Sequence, residues 1–256
     1  MSAATAEKPH TVQQQSSFAR VPAAFRLQFI NGSALVWVPL MIFLLAWAIA
    51  VGIGFWIDYL AEDRVPTEEP FYTGASQASL WGLAFMAAYA GSHTFPFSMA
   101  LSYSRRVFTI GAVLAFGAVS VAFGLAFLLG AVLERATNGF GIEGYTFYLP
   151  YLTEGPGGIA MAGVFTTLAC LTVMQLGFGA VILYKRVGLL RLWLVIIAAA
   201  VVILATVMLI TQQNAWPQVW QWLVEQSALS LSACLVLVVL AQGVINYLMI
   251  RKATPA

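Results

Sequence analysis

Six long apolar runs, separated by short polar connections, constrain this chain more than any other feature. They lie at roughly 34–57, 77–99, 108–133, 158–183, 189–210 and 228–250. Each is long enough to cross a ~30 Å hydrocarbon core as a helix, which takes about 20 residues. Lipid offers no partner to backbone N–H and C=O groups, so a helix, which pairs them internally, is the expected form of each crossing. A water-soluble alternative fails on charge. Only 9% of the residues are charged and 61% are hydrophobic, whereas soluble domains carry about a quarter charged residues. The expectation is an all-α integral membrane protein with six transmembrane helices. The second run, ASLWGLAFMAAYAGSHTFPFSMA, is the least uniform, and its Ser92, His93 and Thr94 imply that one face packs against protein.

Charge gives the direction. Lys8, Arg20 and Arg26 precede the first run, and Arg105 and Arg106 occupy the second connection. Lys185, Arg186 and Arg191 surround the fourth, and Arg251 and Lys252 follow the last run. Six crossings place these ten on one side with Glu7 as the sole acid. The other side receives Arg64 and Arg135 with Asp58, Glu62, Asp63, Glu68, Glu69, Glu134, Glu143, Glu154 and Glu225. Basic excess marks the cytoplasm, so both termini are expected inside. An odd number of crossings would destroy the separation. The net charge of +2, with no broad basic patch, excludes a nucleic-acid binder.

Residues 1–17, MSAATAEKPHTVQQQSS, read as a disordered cytoplasmic tail, and 251–256 as a second, short one. Between the first tail and the first crossing, residues 18–32 have the pattern of an amphipathic helix lying in the membrane interface. Phe18, Val21, Phe25 and Phe29 recur at helical spacing, Arg20, Arg26 and Gln28 supply polarity, and Pro22 suits a first turn. Asn31 and Gly32 then let the chain turn into the membrane. The other reading is a cytoplasmic extension of the first crossing. Residues 33–250 form the six-helix transmembrane domain.

The third connection contains GFGIEGYTFYLPYLTEGPGG, whose aromatic residues and glycines suggest a structured external cap. The last external connection holds a helix at about 215–226, with Trp216, Val219, Trp220 and Leu223 on one face and Gln218, Gln221 and Glu225 on another. It is either re-entrant or interfacial, the alternative being an aromatic belt that ends the sixth crossing. Gly117, Gly124 and Ala131 recur every seven residues in the third crossing, a stripe that lets another helix approach closely. Gly and Ala are also simply common in membrane helices. Cys170 and Cys234 lie in apolar runs and read as small core positions.

Catalytic and metal-binding patterns are missing. The sequence has no HExxH, no GxSxG and no paired histidines, and His93 reads as a packed or hydrogen-bonded residue. Acids and bases fall at the edges of the runs, as Asp58 and Glu134 do, which argues against an ion-coupled carrier. No GxxxxGK[ST] loop occurs, and none of the three lysines follows a glycine. The chain is therefore expected to bind no cofactor, and any ATP would be bound by a partner.

One stretch, HTFPFSMALSYSRRVFTIG from His93 to Gly111, is unusually polar for its place. Pro96 can break the second crossing, and residues 97–108 then suit a short interfacial helix facing a cytoplasmic protein. The plainer reading is a basic turn obeying the positive-inside rule. FPFSMALSYSRRVFTIG resembles the FPFALGLGxSRRxFxxG-type segment of bacterial ABC-2 permeases, the membrane-spanning subunits of ABC transporters. The likeness extends along the whole chain in its order of interfacial helix, six spans, short internal turns and helical element before the last span.

That resemblance implies an ABC-2, type V exporter-like, fold in the bacterial inner membrane. It also implies a coupling segment that docks on an ABC ATP-binding subunit, carried here by Phe97, Met99, Leu101, Tyr103, Arg105, Arg106 and Phe108. It further implies a second permease copy or a related permease, ATP and Mg bound by the ATPase, and export as the direction. This chain lacks the large extracellular domain of some members, and its tail is too short for a fused ATPase. The transported substrate, which the resemblance does not choose, ranges over drug, peptide, lipid, glycan and heme. A non-transporting membrane scaffold or immunity-like protein is the main rival, and an intramembrane enzyme a weaker one.

Overall fold

Apolar side chains recurring through long uncharged runs leave the backbone to satisfy its own hydrogen bonds, and the chain is accordingly built almost wholly of helices. The computed structural model describes residues 17–30, 36–61 and 70–253. A 3-10 turn at Ser17–Arg20 leads into α1 (Val21–Gln28), followed by α2 (Val38–Ala61). After β1 (Phe71–Tyr72) come α3 (Gln77–Tyr89), α4 (Phe95–Ala100) and α5 (Arg105–Ala136). A connection with β2 (Gly144–Tyr145) and α6 (Pro150–Thr153) leads to α7 (Ala160–Val187), α8 (Leu189–Gln212), α9 (Trp216–Glu225) and α10 (Ala228–Ile250). The two strands form one parallel pair, Phe71 beside Gly144 and Tyr72 beside Tyr145. That pair is a small departure from an all-α chain.

Five helices, α2, α5, α7, α8 and α10, are long and apolar enough to cross a membrane. The chain is therefore an all-α multi-pass membrane protein. The expected second crossing is helical from Gln77 to Ala100 but divided, because a π turn at Ala90–Thr94 joins α3 to α4. A π turn inserts one extra residue into a helix. Here it falls where Gly91 meets α7: a Cβ at Gly91 would lie 3.2 Å from Val181. Ser92 Oγ donates to the Tyr89 carbonyl at 3.1 Å and pairs with His93 Nδ1 at 2.7 Å. The His93 ring stacks on Tyr89 at 4.2 Å.

The centre of the bundle is α7, packed against α3, α5 and α10. Lipid tails are as apolar as a core, so close fit and polar bonds hold such helices together rather than water exclusion. Glycines supply the fit. A Cβ at Gly177 would strike the Ala84 carbonyl of α3, and Gly124 of α5 faces Gly163 of α7. A polar bond joins α10 to α7, where Asn246 Nδ2 donates to the Gln175 carbonyl at 2.9 Å. Along α5, Phe108, Ala112, Phe116, Val119, Phe123, Phe127, Ala131 and Glu134 are buried at intervals of three or four, one face of a helix. By contrast α8 and α9 bury no side chain, and the principal neighbour of α8 is α7.

Several expectations need correction. The face of α1 docked on protein is Ala24, Leu27 and Gln28, all buried, while Phe18 is exposed and Val21, Phe25 and Phe29 are half-buried. The cause is Gly111 of α5: a Cβ there would sit 2.7 Å from Ala24 Cβ, so the helices meet along this side. Cys170 is buried, but Cys234 is exposed on the outer side of α10, because only α7, α5 and α6 contact that helix appreciably. The expected turn at Asn31–Gly32 lies outside the described residues, as do residues 1–16 and 254–256 of the two tails.

Candidate functional site

The stretch around 97–108 forms two helix ends and a tight turn, not the single interfacial helix expected. Pro96 sits in the first turn of α4, where a missing N–H costs nothing. The chain then reverses through Leu101–Ser104. Ser102 adopts a left-handed φ of 59°, and Tyr103 N–H closes back onto the Ser98 carbonyl at 3.1 Å. Ser104 caps α5, its hydroxyl accepting the Val107 N–H at 3.3 Å. Those two serines end one helix and begin the next, which is why no helix runs through.

The turn divides the seven sequence-selected residues. Phe97 and Leu101 are exposed, at 51% and 46%. Met99 and Tyr103 are half-buried. Phe108 is fully buried, with its ring 5.4 Å from Phe95 and 6.3 Å from Phe178, so it belongs to the core and not to a docking face.

The arginine pair is divided too. Arg105 turns toward the end of α10 and donates through one guanidinium nitrogen to the carbonyls of Ile250, at 3.4 Å, and Arg251. Arg106 lies 4.7 Å over the Phe18 ring. From the amino-terminal side, Arg20 donates to the Ser102 carbonyl at 3.3 Å and sits 5.6 Å over the Tyr103 ring. Three cations thus brace the turn against the Ser17–Arg20 segment and the end of α10.

At the opposite end of α5 stands a residue whose role the sequence reading missed. Glu134 is 1% exposed. Its Oε2 accepts the backbone N–H groups of Thr146, Phe147 and Tyr148 at 3.0, 2.7 and 2.9 Å, and Oε1 accepts Thr146 again at 3.1 Å. A run of N–H groups turned toward one carboxylate is a backbone anion nest. It holds the cap so that Phe147 wedges among Phe43 (5.2 Å), Phe127 (5.0 Å) and Trp47 (6.1 Å). Thr73 and Thr146 hydroxyls meet at 2.9 Å beside the strand pair. A lone acid ending an apolar run, twelve residues before Thr146, was the available signal; it was read as an edge charge.

The small-residue stripe is uneven. A Cβ on Gly124 would collide with Thr167 Oγ1 and the Gly163 carbonyl, and Ala131 is fully buried. A Cβ on Gly117 would meet nothing within 4 Å. Close approach therefore belongs to Gly124 and Ala131. Helix α9 keeps all of its side chains exposed, with Trp216 Nε1 bonded to Thr211 Oγ1 at 3.0 Å.

Among the described residues, no three His, Cys, Asp or Glu gather in a metal-binding group. No family model, no curated protein and no solved structure matches this chain.

Proposed function

We propose that this chain is the membrane-spanning permease subunit of an ATP-driven exporter in the bacterial inner membrane, with both termini cytoplasmic. In this reading the helical run 77–100 counts as the sixth crossing, its π turn tolerated because α7 packs against it. The observation that carries the reading is the braced turn. Phe97 and Leu101 stand outward on a surface held by Arg20, Arg105 and Arg106, at the end where the sequence concentrates its basic residues. An apolar pair on a basic surface suits a protein partner with an apolar groove rimmed by acids. A chain with no phosphate-cradling loop needs such a partner to use ATP, and that partner would hold both ATP and Mg. The pathway is completed by a second copy or a related permease.

The test is co-purification from source membranes. The wild-type chain should elute with a soluble ATP-binding subunit, in a complex whose native mass fits two of each. Replacing Phe97 and Leu101 together by Asp should abolish co-elution while leaving the melting temperature unchanged, since neither side chain is buried. A stable complex containing no ATPase would favour a membrane scaffold instead.

A further inference from the structure

Between the cap and the bundle lies a partly open cavity of about 380 Å³, walled by α2, α3, α5 and α7 and bordered by the segments 72–76 and 149–152. That volume falls within the range of small-molecule sites, about 300–1,000 Å³. Phe43, Phe123, Phe127 and Phe165 give it an aromatic wall. Thr166 and Gln77 supply uncharged polar groups. Thr167 and Thr172 turn their hydroxyls back onto their own helix, at 2.8 Å in each case. Thr166, on the same helix, makes no such bond, and the Gln77 amide likewise bonds to none of the described residues. Among the described residues both are unbonded, Thr166 half-buried in the wall and Gln77 exposed at the cavity's edge.

Among the described residues, no Asp, Glu, Lys, Arg or His lines the cavity. Glu134, carried by one of the walling helices, has its carboxylate engaged by the cap's N–H groups. An ion placed in the cavity would lose hydration with no opposite charge from the described residues to compensate. An uncharged molecule with a ring or branched chain would lie against the phenylalanine faces at no such cost.

We propose that this cavity binds a neutral amphipathic molecule, its apolar body against the four phenylalanines and a hydroxyl or amide group at Thr166 and Gln77. The proposal depends on the cavity alone and stands apart from the transport reading. The ligand comes either from the bilayer, as a neutral glycerolipid, or from the aqueous phase, as an uncharged solute.

Three benzophenones of one skeleton test it on the full chain in nanodiscs: the 4-hydroxymethyl, 4-carboxylate and 4-aminomethyl compounds. After irradiation, cross-links are mapped by peptide mass spectrometry and normalised to α8, which buries no side chain and reports partition into lipid. The alcohol should label the α3 and α7 peptides about tenfold more than either ion. Ala169→Trp, which fills the cavity, should remove that excess. Thr166→Val should lower it about three- to tenfold while leaving elution and α8 labelling unchanged. Labelling that ignores charge, or that survives both substitutions, overturns the proposal. Should Ala169→Trp fail to fold, the charge series and Thr166→Val decide it. Mass analysis of an organic extract of the purified protein identifies the source: a neutral glycerolipid assigns it to the bilayer, an empty cavity that accepts the alcohol assigns it to solution, and a charged phospholipid cross-linked inside overturns the proposal.

Discussion

The two ends of α5 solve one problem with opposite chemistry. Each must fasten a chain reversal to the bundle. At the turn end, arginines reach out to carbonyls and rings; at the cap end, a buried carboxylate gathers N–H groups. Both choices oppose the dipole of α5, whose amino terminus favours anions and whose carboxyl terminus favours cations. The surroundings reverse the sign. Arg105 also stands at the carboxyl end of α10, where cations are favoured, and Glu134 sees the cap's N–H groups rather than the bare end of its helix. The ends also differ in stiffness. Long arginine side chains at an exposed turn can rearrange with little loss, whereas a carboxylate held at 2.7–3.1 Å by three amides cannot. The turn is adjustable and the cap is fixed.

Removing the carboxylate should have the largest effect. Glu134→Ala strips the cap of its charge-assisted bonds and leaves three buried or half-buried N–H groups without a partner, a loss of about 3–5 kcal/mol. The melting temperature should fall, and chymotrypsin should cleave faster at Tyr145 and Tyr148. An unchanged melting temperature would mean that the cap is held by its aromatic wedge and not by the nest.

Midway along α5, Gly124→Ala should cost about 1–3 kcal/mol by overpacking against Gly163 and Thr167. Gly117→Ala, in open space, should be neutral or stabilising by up to about 1 kcal/mol, because Ala is the better helix former. Equal effects at the two positions would contradict the uneven packing. The smallest changes belong to the turn. Arg105→Gln should cost about 1 kcal/mol and speed amide exchange near Tyr247–Ala253, and Arg106→Gln about 0.5 kcal/mol with no effect there. If Arg106 proved the costlier of the pair, the assignment of Arg105 to α10 would be wrong.

What could be read from the sequence was whatever lipid enforces locally. Long apolar runs announce α2, α5, α7, α8 and α10, and Ser92, His93 and Thr94 flagged the irregular second run where the π turn falls at Ala90–Thr94. The helix expected at 215–226 lies at Trp216–Glu225. Features set by distant partners escaped. Glu134 needs amides twelve to fourteen residues away, and the docked face of α1 depends on Gly111. Ser102, Asn138, Phe140 and Glu143 adopt positive φ without being glycine, so local propensity gave no warning of the turns they make. At the candidate site, the resemblance grouped seven residues by position within one expected helix; the turn at Ser102 sends Phe97 and Leu101 outward and leaves Phe108 inside.

The length of α5 gives these two anchors a mechanical meaning. With 32 residues, it is a rod of about 48 Å, well beyond a ~30 Å hydrocarbon core. Pivoting on a fixed cap, such a rod acts as a lever: a tilt of roughly 10° would sweep the far tip through about 8 Å. Spin labels at Ala100 and Leu190, both at the turn end, would register that stroke as a changed separation, while a second pair at Glu143 and Glu154 within the cap would keep a constant one. Force applied at the turn is thus delivered along a single stiff member, with no hinge between the two faces of the membrane.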